Sequence, residues 1–136
     1  ILTLDGRVRV PAFYRFEGYR PTKTSGKIFT MEVYVSAGSG RKKTLIGDGD
    51  GQIDAGFKAI EKIVPYDMKL IDFELHSAQS GSAASGYAHS VISRNGWKVI
   101  GYGKHSDSIT SAFCSFVDGA NRIKYMQENI EKFRKK

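Results

Sequence analysis

Residues 46–60 read IGDGDGQIDAGFKAI, and residues 100–116 read IGYGKHSDSITSAFCSF. Each stretch carries G-x-G, then a polar loop, then apolar residues at helical spacing. Ile53 matches Ile109, Phe57 matches Phe113, and Ile60 matches Phe116. Gly47 and Gly101 are 54 residues apart and Ile53 and Ile109 are 56 apart, so the second loop is two residues longer. The chain is written twice.

Working outward from these stretches completes the repeat. Upstream of the first, Lys27–Val35 alternates with Phe29, Met31, Val33 and Val35 on one face, which predicts a half-buried strand. Gly38-Ser39-Gly40 predicts a turn and Lys43–Ile46 a short returning strand, with Tyr14–Tyr19 as the strand before them. The apolar positions of Ile53–Val64 predict a helix stopped by Pro65. In the second copy Lys69–His76 alternates, with Ile71, Phe73 and Leu75 opposite Asp72, Glu74 and His76. Tyr87–Ile92 and Trp97–Tyr102 follow as strands, joined at Asn95-Gly96, a strong hairpin signal. A long helix starts near Ile109, with Ala112, Phe113, Phe116, Ala120 and Ile123 on one side, and is expected to run on towards Phe133. The fold class is therefore α+β, an internally duplicated strand-strand-strand-helix (β3α)2 domain with pseudo-two-fold symmetry. Repeat one covers about 13–65 and repeat two about 68–133 of a single domain, 1–136.

Composition is that of an ordinary globular domain: 136 residues, 40% hydrophobic and 26% charged. No run approaches the roughly 18 apolar residues of a membrane helix, so no membrane partner is expected. The first residue is Ile1 rather than methionine, which suggests a piece of a longer protein. Cys114, the single cysteine, excludes an internal disulfide framework and fits a reducing, cytoplasmic setting. It falls at a helix position that reads as buried, a small apolar filler rather than a nucleophile. The formal charge of +7 is concentrated: Arg122–Lys136 holds six basic and two acidic residues, a net +4, and Arg41-Lys42-Lys43 adds a further cluster. The terminal lysines and arginine complement a helix dipole, which argues against a nucleic-acid footprint.

GDGDGQID, residues 47–54, invites a calcium reading. Asp48, Asp50, Gly51 and Ile53 fall on positions 3, 5, 6 and 8 of the calcium-loop pattern, but positions 1 and 12 are Ile46 and Phe57, which supply no side-chain oxygen. The second copy keeps the glycines and only one carboxylate. A strand-to-helix glycine loop offers backbone N–H groups and the positive end of a helix dipole to an anion. The acids would repel a phosphate, and no GK[ST] follows, so a P-loop is excluded. A zwitterion suits the loop better; the plainest alternative is that Asp50 or Asp54 caps the helix. His76, His89 and His105 show no metal-ligand spacing among themselves or with Cys114, and no metal ligands are assigned. With no catalytic motif either, the chain is not expected to be an enzyme by itself.

LIDFELHSAQSGSAASGYAHSVI (70–92), VIGYGKHSDSITSAFCSFVDGANRI (99–123) and the earlier GDGDGQIDAGFKAI together resemble the C-terminal regulatory domain of 2-isopropylmalate synthase. The likeness covers roughly Tyr14 to Lys124. It departs from the family's commoner GDGPVDAAFKAI at Asp50-Gly51-Gln52, which reshapes the pocket floor. The resemblance implies a domain of two β3α units that forms a homodimer and binds leucine, the pathway end product, as feedback inhibitor. It also implies a parent acyltransferase whose catalytic barrel uses acetyl-CoA and a divalent metal; no cofactor is expected in the regulatory domain itself. Carried over residue by residue, the effector pocket comprises Gly49, Asp50, Gly51, Ile53 and Ala55, with Leu70, Phe73 and Ser77, and with Ser106, Ser108 and Ile109. Phe73 stands where the family often has Tyr. The similar domain of citramalate synthase, which binds isoleucine, is the near alternative; a basic nucleic-acid-binding module and a dimerisation domain with a degenerate pocket are alternatives of other classes.

Overall fold

The structure of the chain, a computed structural model, describes residues 2–4, 8–76 and 86–130. The elements run β1 (Leu2–Leu4), β2 (Tyr14–Ser25), β3 (Ile28–Ala37), β4 (Lys42–Gly49) and α1 (Gln52–Ile60), the last extended by a 3-10 turn over Glu61–Ile63. The second unit follows as β5 (Lys69–His76), β6 (Gly86–Arg94), β7 (Trp97–His105) and α2 (Ser108–Glu128). One antiparallel sheet has the order β2-β3-β4; the other has the order β1-β7-β6-β5, with β1 parallel to β7. The two copies of βββα read from the sequence are thus present. Strand β1 lies in a segment to which periodicity assigned nothing, because three residues are too few to show an alternation.

Each helix covers the inner face of its own sheet, α1 on β3 and β4 and α2 on β6 and β7, and the two helices meet each other. Met31, Val33 and Val35 point inward from β3 as their alternation predicts, against Phe57, Ile60, Phe113, Phe116 and Ile123 in one continuous core. Phe57 meets Phe116 edge-on at 4.6 Å, and Phe73 reaches the same Phe116 ring at 5.4 Å, so Phe116 joins the two units. Phe113 lies where a side chain on Gly56 would have to be, and it packs T-shaped on Tyr19 of β2 at 5.2 Å. Asn95 and Gly96, with φ of 48° and 80°, make the expected tight hairpin between β6 and β7.

Several expectations are corrected. In β5 the register slips between Leu70 and Asp72, a bulge that turns Leu70 inward and leaves Ile71 42% exposed. Leu70, Phe73 and Leu75 therefore face the helices, not Ile71, Phe73 and Leu75. The α-helix of the first copy ends at Ile60, and a 3-10 turn, not α-helix, covers Glu61–Ile63 before Pro65. α2 ends at Glu128, and the expected continuation to Phe133 falls largely outside the described residues. Cys114 is half-buried rather than buried. Burial first, and the Asp118 charge second, push its thiol pKa up, which keeps it a neutral thiol. Strands β4 and β7 run further than the alternation alone predicted and take in both G-x-G pairs.

Candidate functional site

The G-x-G pairs lie within strands, and their shared role is close packing. A Cβ on Gly101 would come within 2.5 Å of the Gly119 nitrogen, and one on Gly103 within 2.7 Å of the Ser115 nitrogen, both in α2. In the first copy a Cβ on Gly47 would sit 2.9 Å from the Ala59 Cα, and one on Gly49 2.5 Å from the Ala55 nitrogen, both in α1. Real Cβ atoms do not approach so closely, so these glycines let each helix lie directly on the backbone of its last strand. The expectation that their spacing chiefly shapes a helix N-terminus is corrected accordingly. Of the three glycines of the first loop, Gly51 alone has open space around it, with nothing within 4 Å of a Cβ.

The two helix starts are built differently. At α2, Asp107 caps: its Oδ2 accepts from the Thr110 N–H at 3.0 Å and from the Thr110 hydroxyl at 2.7 Å. The Tyr19 hydroxyl donates to the same oxygen at 3.0 Å, tying β2 to the second helix. The Thr110 hydroxyl foremost holds the Asp107 carboxyl below its ordinary value; burial, the next largest influence, pushes the other way and is outweighed with the help of the Thr110 N–H and Tyr19. At α1 the cap position is Gly51, with extended backbone and no side-chain cap. The Asp54 carboxylate instead reaches back to accept from the Asp50 N–H at 3.0 Å. The first helix therefore keeps an end that no side chain closes, and the second does not.

The calcium reading is set aside by this geometry. Asp48 accepts from the Thr30 hydroxyl at 2.7 Å across the sheet, and Asp54 is engaged at the Asp50 N–H. Among the described residues the carboxylates of this loop do not gather into a ligand set; Glu74, His76 and His89 do, on the other sheet. That meeting was invisible to spacing, because it depends on the pairing of β5 with β6.

Of the expected effector residues, Gly49, Asp50, Gly51, Ile53 and Ala55 form one continuous turn from β4 into α1. Ile53, Leu70, Phe73 and Ile109 are partly buried and packed against the core. Phe73 is linked to the first helix through Phe116. Ser106 is exposed in the β7–α2 loop and Ser108 opens α2, on either side of the capping Asp107. Among the described residues no hydrogen bond joins the Asp50 loop to the Ser106 loop, and Ser77 lies outside them. Surface cavities of about 250 and 350 Å³ lie elsewhere, one beside Met68 and Arg94 and one beside Tyr87 and Tyr102.

The sequence reading also passed over the work of Asp118, Asn121 and Arg122. Asp118 accepts from the Tyr102 N–H at 2.8 Å and from Arg122 Nε at 3.0 Å, while Arg122 also donates to the Val8 carbonyl. Asn121 holds the backbone of Tyr14. The D-G-A-N-R stretch at 118–122 is therefore a clamp between the long helix, β7 and the stretch from Val8 to Tyr14. Its signal in the sequence was a polar pair inside an apolar helical face.

Fold and site define a duplicated β3α domain, its two units joined through their helices, with one helix start that carries no side-chain cap. The profile of the LeuA allosteric (dimerisation) domain family matches residues 3–124. The chain belongs to that family. It is 28% identical over 113 residues to the 2-isopropylmalate synthase of Erwinia tasmaniensis, covering 83% of this chain and 22% of that one. It is 30% identical over 119 residues to that of Brucella melitensis, covering 88% and 20%, and 28% identical over 110 residues to that of Nitrosomonas europaea, covering 81% and 21%. The chain thus spans about a fifth of the length of these relatives.

Proposed function

We propose that this domain binds leucine as the feedback effector of a 2-isopropylmalate synthase and holds two copies of that enzyme together. The observation that carries the reading is the asymmetry of the helix starts: α2 is closed by Asp107, and α1 is left open beside exposed carboxylates and half-buried apolar side chains. A leucine carboxylate on the α1 end, its ammonium near Asp50 and its side chain against Ile53, Leu70, Phe73 and Ile109 satisfies each of these groups. Ser106 and Ser108 supply hydroxyls. Burial of the side chain contributes ~1.5–3 kcal/mol and the helix end about 0.3–2 kcal/mol. A micromolar affinity requires about 8 kcal/mol, so charge-assisted hydrogen bonds to both charged groups supply much of the remainder.

The parent reaction under this reading joins acetyl-CoA to 3-methyl-2-oxobutanoate in a metal-dependent catalytic barrel elsewhere in a longer cytoplasmic protein. Effector binding favours one arrangement of the paired domains, and the barrel responds. Thermal unfolding with leucine, isoleucine, valine and calcium chloride, each added separately, tests the proposal. Leucine at 100 times its dissociation constant adds ~2.7 kcal/mol, a rise of roughly 3–6 °C. A larger rise with isoleucine points to the citramalate synthase branch instead, and no rise with any amino acid removes the effector reading.

A further inference from the structure

The face of the second sheet turned away from the helices carries a group with no part in the effector site. Phe73 and Leu75 of β5 point inward, so Glu74 and His76, one residue to either side of Leu75, share the outer face. On β6, His89 stands directly opposite Glu74 in the antiparallel register. Cross-strand pairing and the two-residue period thus bring together three side chains that are 2, 13 and 15 positions apart in sequence.

Their geometry is that of a ligand set. Glu74 Oε2 lies 3.2 Å from His76 Nε2 and 3.3 Å from His89 Nε2, and the three donor atoms all fall within 4.8 Å of one another. A tetrahedral zinc ion bound at about 2.0–2.2 Å holds neighbouring donors roughly 3.3–3.6 Å apart. Two edges of the triangle are already close to that spacing. The imidazole planes are also ordered by their neighbours. His76 stacks on Tyr87 at 4.5 Å with 14° between the rings, His89 follows His76 at 6.2 Å, and Tyr102 flanks His89 at 5.9 Å. Tyr87 and Tyr102 also line the cavity of about 350 Å³, with Gly103 and Lys104.

We propose that Glu74, His76 and His89 form a divalent transition-metal site on the outer face of the second sheet, with zinc as its ion. Two imidazole nitrogens and one carboxylate oxygen suit zinc; calcium and magnesium call for all-oxygen sets. The three side chains are 52%, 45% and 25% exposed, so a fourth coordination position is open to water.

Calorimetric titration of the chain with zinc chloride in chelator-free buffer tests the site, using Glu74→Gln and His89→Ala as site variants and His105→Ala as a control. Expected is one zinc per chain at micromolar affinity, weakened by roughly tenfold or more in each site variant and unchanged in the control. Cobalt(II) should give a visible d–d band without thiolate-to-metal charge transfer, since Cys114 is not a ligand. Thermal midpoints in EDTA show that the variants fold; His76→Ala replaces His89→Ala if that variant does not. No uptake up to millimolar zinc overturns the proposal, and so does uptake that survives both site substitutions or a cobalt complex with a thiolate band.

Discussion

The side-chain amide of Asn121 pairs with the backbone of Tyr14 as a neighbouring strand would. Its Oδ1 accepts from the Tyr14 N–H and its Nδ2 donates to the Tyr14 carbonyl, both at 2.9 Å, across 107 positions of sequence. The first strand of one unit is thereby fastened to the helix of the other. Phe16 and Tyr19 of that strand then pack on Phe113, at 5.9 and 5.2 Å. The two units are packed together through these contacts and through Phe57 and Phe116.

Asn121→Ala should destabilise the domain by about 1–3 kcal/mol, because two backbone groups of Tyr14 lose their partner together. Urea unfolding measures it. Asn121→Asp should not rescue, since it keeps the acceptor but loses the donor and adds a charge; a variant as stable as the parent would remove the clamp from the account.

Glycine substitutions separate packing from loop geometry. Gly101→Ala or Gly103→Ala should cost about 1–3 kcal/mol or more, because the new methyl meets helix backbone rather than the end of a flexible side chain. Gly51→Ala meets open space and has extended backbone, so its cost should be confined to alanine's poorer fit at an N-cap, about 0.5–1 kcal/mol, below that of the strand glycines. Denaturation midpoints of the three variants, compared side by side, check the contrast.

Asp107 provides a pH-dependent contribution whose sign follows from its hydrogen bonds. Its folded-state pKa lies below the ordinary 3.8, so the stabilisation is present above that value and is lost as pH falls through the lower folded value. Asp107→Ala should cost about 0.5–2 kcal/mol at neutral pH. The gap between parent and variant should narrow as unfolding is repeated below pH 3.8. A gap that holds constant down to the lowest pH would show that the carboxylate's charge is not what stabilises the helix start.

Phe113→Ala removes the ring that lies over Gly56 and against Tyr19 and Phe16. The expected loss is about 3–5 kcal/mol, read from urea unfolding. Double substitution with Tyr19→Ala should be less than additive, because the two rings share one contact.

For the effector site, Ile53→Trp should weaken leucine binding by about tenfold, or about 1.4 kcal/mol, while leaving the unliganded fold intact, since Ile53 is only partly buried. Calorimetric titration with leucine decides; unchanged affinity would place the ligand away from the first helix.

The sequence by itself determined the duplicated order of elements, the inward faces of β3 and α2, the hairpin at Asn95-Gly96 and the family. These rest on periodicity, turn chemistry and motif, all of which are properties of neighbouring residues. Tertiary structure decided what depends on distant segments. The bulge that exchanges Leu70 for Ile71 is set by how β5 docks on β6. The purpose of the G-x-G pairs is visible only once each helix crosses its strand at backbone contact. Asp107 caps α2 through its own neighbour Thr110, but its hold on Tyr19 needs β2 brought alongside. Glu74, His76 and His89 become neighbours solely through strand register, since an antiparallel pair places opposite side chains about 5 Å apart however far apart they stand in the chain.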